Sequence, residues 1–158
     1  MPEPLVVFDC VVFFQGLIKQ TGPAVTCLES FEKGRFSLAI SPEILAEIHD
    51  VLSRSSLRQR FPLLTEERAQ RLIELLVLRG RLFRSVPRRM ELPRDPDDEP
   101  YLNLALEADA QFLVTRDRDL LDLMRSDTKE GRDFQSRFPD LKIVDPVMFM
   151  KEIEARGT

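Results

Sequence analysis

The sequence predicts an α/β fold: a parallel sheet of about five strands with helices on both faces. Three observations predict it. Short apolar runs alternate with longer amphipathic stretches five times along the 158 residues. That rhythm belongs to strand–helix–strand units joined by right-handed crossovers. The runs are apolar without interruption, Leu5-Val6-Val7-Phe8 being the cleanest, as expected for strands buried on both faces. Helix-start signals stand where a crossover helix must begin: Ser41 followed by Pro42, and Thr65 before a long amphipathic stretch.

Taken in order, residues 5–8 form the first strand, closed by Asp9. Residues 11–19 start a short helix, broken at Thr21-Gly22-Pro23, and 24–33 form a second, stopped by Gly34. Residues 36–40 are the second strand. The helix from Pro42 to about Ser53 shows an apolar face of Ile44, Leu45, Ile48, Val51 and Leu52. Glu47 lies beside that stripe, where a lone carboxylate is costly. It is either a site residue or a boundary side chain paired with an arginine. After Thr65, the residues Ala69, Leu72, Ile73, Leu76 and Val77 keep helical spacing without a miss, up to Gly80. Residues 82–86 are the third strand and 87–93 a loop.

An acidic stretch, Asp95-Pro96-Asp97-Asp98-Glu99-Pro100, then opens a helix carrying Leu102, Ala105 and Leu106 and ending near Asp109. Residues 111–114 are the fourth strand, followed by Thr115-Arg116-Asp117-Arg118-Asp119. Asp119 leads Leu120, Leu121 and Leu123, so it reads as the cap of a short helix. Residues 126–138 are polar and read as a long loop with a turn of helix. Residues 141–144 are the fifth strand and 146–156 a closing helix.

The length suits one domain spanning residues 1–158. Apolar content of 43% and charged content of 32% are those of an ordinary globular chain. No apolar run reaches the roughly 20 residues of a membrane span, and the start lacks the basic region of a signal peptide. A cytoplasmic protein is expected. Two cysteines, Cys10 and Cys27, make no disulfide framework, and with one histidine, His49, there is no zinc-ligand spacing. A Ser-His-Asp or Cys-His mechanism is hard to build from this inventory. Carboxylates remain for chemistry.

In a parallel sheet the C-terminal strand ends share one rim, where α/β folds bind ligands. Asp9 ends the first strand, Asp117 follows the fourth, Asp98 opens the helix feeding it, and Glu47 lies on the helix after the second. Each alone has a plainer reading, Asp9 as a turn or cap and Asp98 as an N-cap. Together they suit a hard divalent ion such as Mg²⁺ or Mn²⁺, which takes oxygen ligands and assists phosphodiester chemistry. The net charge of −4 is unevenly spread. Between residues 54 and 94 eleven arginines face four glutamates, a local +7 that leaves −11 for the rest. Such a stretch is either a phosphate-binding face or a solvated helix surface.

The motifs Val6-Val7-Phe8-Asp9, Ser41-Pro42-Glu43-Ile44-Leu45-Ala46-Glu47-Ile48, Arg94-Asp95-Pro96-Asp97-Asp98 and Leu113-Val114-Thr115-Arg116-Asp117-Arg118-Asp119 stand in that order. The chain in this respect resembles PIN domains, nearest to the toxin components of toxin–antitoxin systems related to VapC. The resemblance implies a three-layer α/β/α sandwich and a Mg²⁺- or Mn²⁺-dependent endoribonuclease acting on RNA. It implies catalytic acids at Asp9, Glu47, Asp98 and Asp117, with Asp9, Asp98 and Asp117 as metal ligands and Thr115 and Asp119 in support. It further implies a homodimer and an antitoxin protein as partner. Arg88, Arg89 and Arg116 are the expected RNA contacts. One departure stands out: the family usually reads Asp-Thr-Asn after the first strand, where this chain has Asp9-Cys10-Val11. Val11 cannot support a metal site through its side chain, so a degenerate PIN domain that binds RNA or protein without cleaving is the alternative. Another acid-rimmed α/β protein is the third reading, weakened because a haloacid-type phosphatase needs an Asp where Val11 stands.

Overall fold

The computed structural model describes residues 3–156. Its sheet has five parallel strands: β1 (Leu5–Phe8), β2 (Ser37–Ile40), β3 (Arg81–Leu82), β4 (Phe112–Val114) and β5 (Lys142–Val144), in the spatial order β3-β2-β1-β4-β5. The expected α/β fold with a five-stranded parallel sheet is what the chain adopts. Among the described residues nine α-helices surround it: α1 (Cys10–Ile18), α2 (Pro23–Glu32), α3 (Pro42–Leu52), α4 (Ser55–Arg60), α5 (Glu66–Arg79), α6 (Glu99–Glu107), α7 (Arg118–Leu121), α8 (Lys129–Arg137) and α9 (Pro146–Arg156).

The strand order locates the site. From β1 the chain crosses outward to β2 and β3, then returns past β1 to β4 and β5. Crossovers leave in opposite directions on either side of β1, which opens a crevice between the C-terminal ends of β1 and β4. Register brings those ends level: Phe8 lies opposite Val114. Beyond the strands, Asp9 N–H still donates to Val114 O at 3.1 Å and Thr115 N–H to Val144 O at 3.0 Å. Asp9 and Thr115 are therefore fixed by the sheet itself.

Aromatic packing holds one face shut. Phe149 of α9 meets Phe36, Phe112 and Phe8 with ring centroids 5.0, 5.4 and 5.8 Å away, in edge-on geometries that favour ring pairs. Helix α6 covers the opposite face, with Tyr101, Leu102, Leu104 and Ala105 buried.

Three expectations change. The third strand is two residues long rather than five, because its partner β2 ends at Ile40. The next residue, Ser41, leaves the sheet to cap α3, its Oγ accepting from Ile44 N–H, so residues 84–86 have no strand to pair with. Residues 126–138 hold a nine-residue helix, α8, in place of the loop. Helix α4 was not foreseen; its six residues bury no side chain fully, so no apolar stripe marks it. No helix among the described residues is long and apolar enough to cross a membrane.

Candidate functional site

The crevice is lined by carboxylates that also cap helices. Asp9 is the N-cap of α1, with Oδ1 accepting from Val12 N–H at 3.0 Å. Asp117 is the N-cap of α7, with Oδ1 accepting from Leu120 N–H at 3.1 Å. Capping and site roles thus coincide: the cap fixes one oxygen and so aims the rest of the carboxylate. Asp119, expected as this cap, sits inside the first turn of α7 instead.

Thr115 ties the two strand-end acids together. Its hydroxyl donates to Asp9 Oδ2 at 2.5 Å and accepts from Asp117 N–H at 3.0 Å. Both Asp9 and Thr115 are buried. Asp9 is thereby oriented without help from Val11, whose side chain is 45% exposed and turned to solvent.

Asp98 stands at the N-cap position of α6 but makes no side-chain cap. Its carboxyl instead meets those of Asp95 and Asp117 and feels the charge of Asp9. Burial first, then these neighbours, pushes it up to about 8. Burial likewise pushes Asp9 up to about 6, with Asp117 adding repulsion while the Thr115 hydroxyl and Val12 amide oppose the shift. Asp95 is raised chiefly through its hydrogen bond with Asp117. Burial works against ionisation of Asp117, but the bonds from Asp95 and the Leu120 amide outweigh it and hold its carboxyl below the ordinary value. Carboxylate oxygens of Asp95, Asp117 and Asp119 lie within 4.8 Å of one another.

Glu47 approaches from α3. Its Oε1 accepts from the Tyr101 hydroxyl at 2.9 Å, so its partner is a buried phenol rather than an arginine. Glu47 and Asp9 both raise the Cys10 thiol, after burial, to about 12. Among the described residues Asp9, Glu47, Asp98 and Asp117 form no ion pair.

Two of the three arginines expected to contact RNA are ion-paired at the surface. Arg88 is held by Glu99, a buried acid, and lies 3.8 Å from Glu91. Arg89 pairs with Glu107 at 2.8 Å. Both brace the segment before α6, and their side chains stay 64% and 46% exposed. Arg116 is exposed and, among the described residues, without an ion pair, and so is Arg118 on the other side of Asp117.

The family model for the PIN domain matches residues 5–119. The chain belongs to the PIN-domain family. PIN domains are generally nucleases and typically use a divalent metal. The matched region begins at β1 and ends at Asp119, so it takes in every acid of the crevice. Comparison with curated proteins and with solved structures gives no match.

The donor set of this PIN domain fits a hard divalent cation. All its groups are carboxylates, from the residue after β1, the residue before α6, the turn before that and the segment after β4. Two of them, Asp98 and Asp9, hold protons to elevated pH because they are buried first and crowded by neighbouring carboxyls second. The nearby thiol stays protonated and offers no thiolate to a soft metal.

Sequence reasoning missed Asp95 and Tyr101 as members of the site. Asp95 had a signal: it stands three residues before Asp98 across a proline turn, a spacing that returns two side chains to one side. Tyr101 stands three after Asp98, on the same face of the helix. A Tyr101→Phe variant should keep its melting temperature within a few degrees and lose cleavage about tenfold, since Glu47 loses its orienting donor. Parallel melts and nuclease rates check this.

Proposed function

We propose that the protein is a Mg²⁺- or Mn²⁺-dependent endoribonuclease, and that it serves as the toxin of a toxin–antitoxin pair. The observation that carries the nuclease reading is the Thr115 hydroxyl joining Asp9 to the Asp117 backbone, with Asp98 brought against the same point. Asp9, Asp98 and Asp117 would hold the cation. Bound there, such a cation supplies Lewis acidity toward an RNA phosphodiester.

The chain's own groups do the rest. Thr115 fixes the Asp9 carboxylate in one orientation. Glu47, tied to Tyr101 through Oε1 only among the described residues, keeps its Oε2 available to accept a proton from water. Arg116 and Arg118 flank Asp117 and are placed to take the phosphate backbone without reading sequence. A homodimer, an antitoxin partner and a cytoplasmic location belong to the proposal through family resemblance alone.

Incubation with RNA and Mn²⁺ tests the reading. Wild type should cleave and Asp9→Asn should not. Equal cleavage by both would trace the activity to a contaminant and end the assignment. One observation favours a second reading, a binding module without catalysis: the exposed Val11 supplies no polar group at the rim. RNA and Mn²⁺ binding by the wild type with no cleavage would select it. Growth arrest on expression of the wild type, absent with Asp9→Asn, tests the toxin role.

A further inference from the structure

Between residues 54 and 94 the structure sorts the arginines. Arg58, Arg68 and Arg79 donate to the backbone carbonyls of Leu52, Leu17 and Phe31, and Arg88 and Arg89 pair with Glu99 and Glu107. The start of the stretch is different. The run Arg54-Ser55-Ser56-Leu57-Arg58-Gln59-Arg60 holds three arginines and no acid, and α4 within it buries no side chain fully. It follows α3, which starts from β2, whereas Arg116 and Arg118 follow β4 on the other side of β1.

Glu47, Asp50 and Arg54 are spaced three and four apart. One face of α3 therefore leads from the crevice to Arg54 in roughly two helical turns, about 10 Å. The Cys10 thiol in the crevice feels the charges of both Glu47 and Arg54. Arg54 pairs with Asp50 at 3.0 Å, but the two side chains are 55% and 70% exposed, and an exposed pair of this kind yields readily to another anion. Phe61, one residue past α4, meets Phe14 of α1 edge-on with centroids 5.3 Å apart. The Arg60 guanidinium lies over the Phe61 ring, 5.4 Å from its centroid. Phe14 stands one turn along α1 from the exposed Val11. An apolar and aromatic strip thus joins the residues after Asp9 to the arginines of α4.

We propose that single-stranded RNA leaving the crevice runs over α4, with Arg54 on a phosphate and Arg60, backed by Phe61, against a base. This rests on the nuclease reading given above. The carboxylates of the crevice repel a phosphate chain, so cations on both walls are needed to hold it. Guanidinium and aromatic planes hold unpaired bases without reading sequence, since every base offers a π-face.

Fluorescence anisotropy with a labelled single-stranded oligoribonucleotide of mixed sequence, in chelator and over a range of salt, tests this apart from cleavage. Full-length wild type, Arg54→Ala, Arg54→Lys, Arg60→Ala and Arg35→Ala are compared, each with a thermal melt. Arg35 is exposed just before β2, at the opposite edge of the sheet. Arg54→Ala should melt as wild type and flatten the slope of log affinity against log salt by about 0.7. Arg54→Lys should keep the wild-type slope, Arg60→Ala should bind about fivefold or more weakly, and Arg35→Ala should match wild type. A wild-type slope in Arg54→Ala, or a wild-type affinity in Arg60→Ala, would overturn the inference. So would an equal flattening in Arg35→Ala, which would trace the effect to diffuse charge. Such a failure leaves the nuclease reading standing as long as wild type cleaves and Asp9→Asn does not. The expected slopes in a wild type that never cleaves would keep this inference and sink that reading.

Discussion

Asp98→Asn should melt at a higher temperature than the wild type in metal-free buffer above neutral pH, and it should lose cleavage by about a hundredfold or more. The stabilisation follows from the charge crowding in the crevice. The carboxyls of Asp98 and Asp9 rise from 3.8 to about 8 and about 6 in the folded chain. Between the unfolded and folded values the native state binds more protons than the unfolded one, so stability falls as pH rises. The window runs from about pH 4 to about pH 8. For the buried Asp9 the loss is on the order of 3 kcal/mol. Asp98 is half-buried, and after allowance for solvent screening its share is about 2 kcal/mol. For a chain of this size that corresponds to roughly 5 °C. Melts at about pH 3.5 and about pH 8.5 bracket the window. The variant should match wild type at the acid end and exceed it at the alkaline end. Mn²⁺ should raise the wild-type melt most at the alkaline end, because binding displaces the protons and stabilises the native state, and should do little for the variant. A variant less stable than wild type at both ends would mean that Asp98 supports the fold instead of straining it.

Asn103→Leu should cost about 3 kcal/mol of stability, nearly independent of pH. Asn103 is 4% exposed and makes four hydrogen bonds with one side chain. Its Oδ1 accepts from Arg89 N–H at 2.8 Å and Met90 N–H at 2.9 Å, and its Nδ2 donates to Met90 O at 3.0 Å and Glu99 O at 3.2 Å. These bonds dock the irregular segment onto α6, assisted by the Arg88–Glu99 and Arg89–Glu107 pairs. Leucine fills similar space but leaves the backbone groups of residues 89 and 90 without partners, at about 1–3 kcal/mol each before relaxation. The acids at the far end of the segment, Asp95 and Asp98, should lose their placement as well. Urea titration measures the first effect and Mn²⁺ calorimetry the second. A loss below about 1 kcal/mol would show that the ion pairs hold the segment by themselves.

Much of the architecture was legible because apolar periodicity is local. β1, β2, β4 and β5 announced themselves as short runs, and α3, α5 and α6 as stripes behind a cap or an acidic start. The failures share a cause. α8 buries only Gly131 and Phe134 within its nine residues, too few for a period to show. Its glycine, a poor helix residue, is there because a Cβ would stand 1.9 Å from Arg125 O, a contact no local pattern reveals. The short β3 was misjudged because a strand's length is set by its neighbour, and β2 stops where Ser41 begins to cap α3.

The same division holds in the crevice. By itself the sequence determined which residues are acids, that Asp9 and Asp117 follow strands, and that Asp98 opens a helix, since these are matters of spacing along one segment. The tertiary structure alone decided that β1 lies beside β4, so that Thr115 reaches Asp9, and that Asp95 crosses to meet Asp117 and Asp119. It also decided that Glu47 is held by Tyr101 and that Arg88 and Arg89 pair with Glu99 and Glu107. Each of these is a pairing between side chains of different elements. Strand order and helix docking set such pairings, and neither leaves a local trace in composition or periodicity.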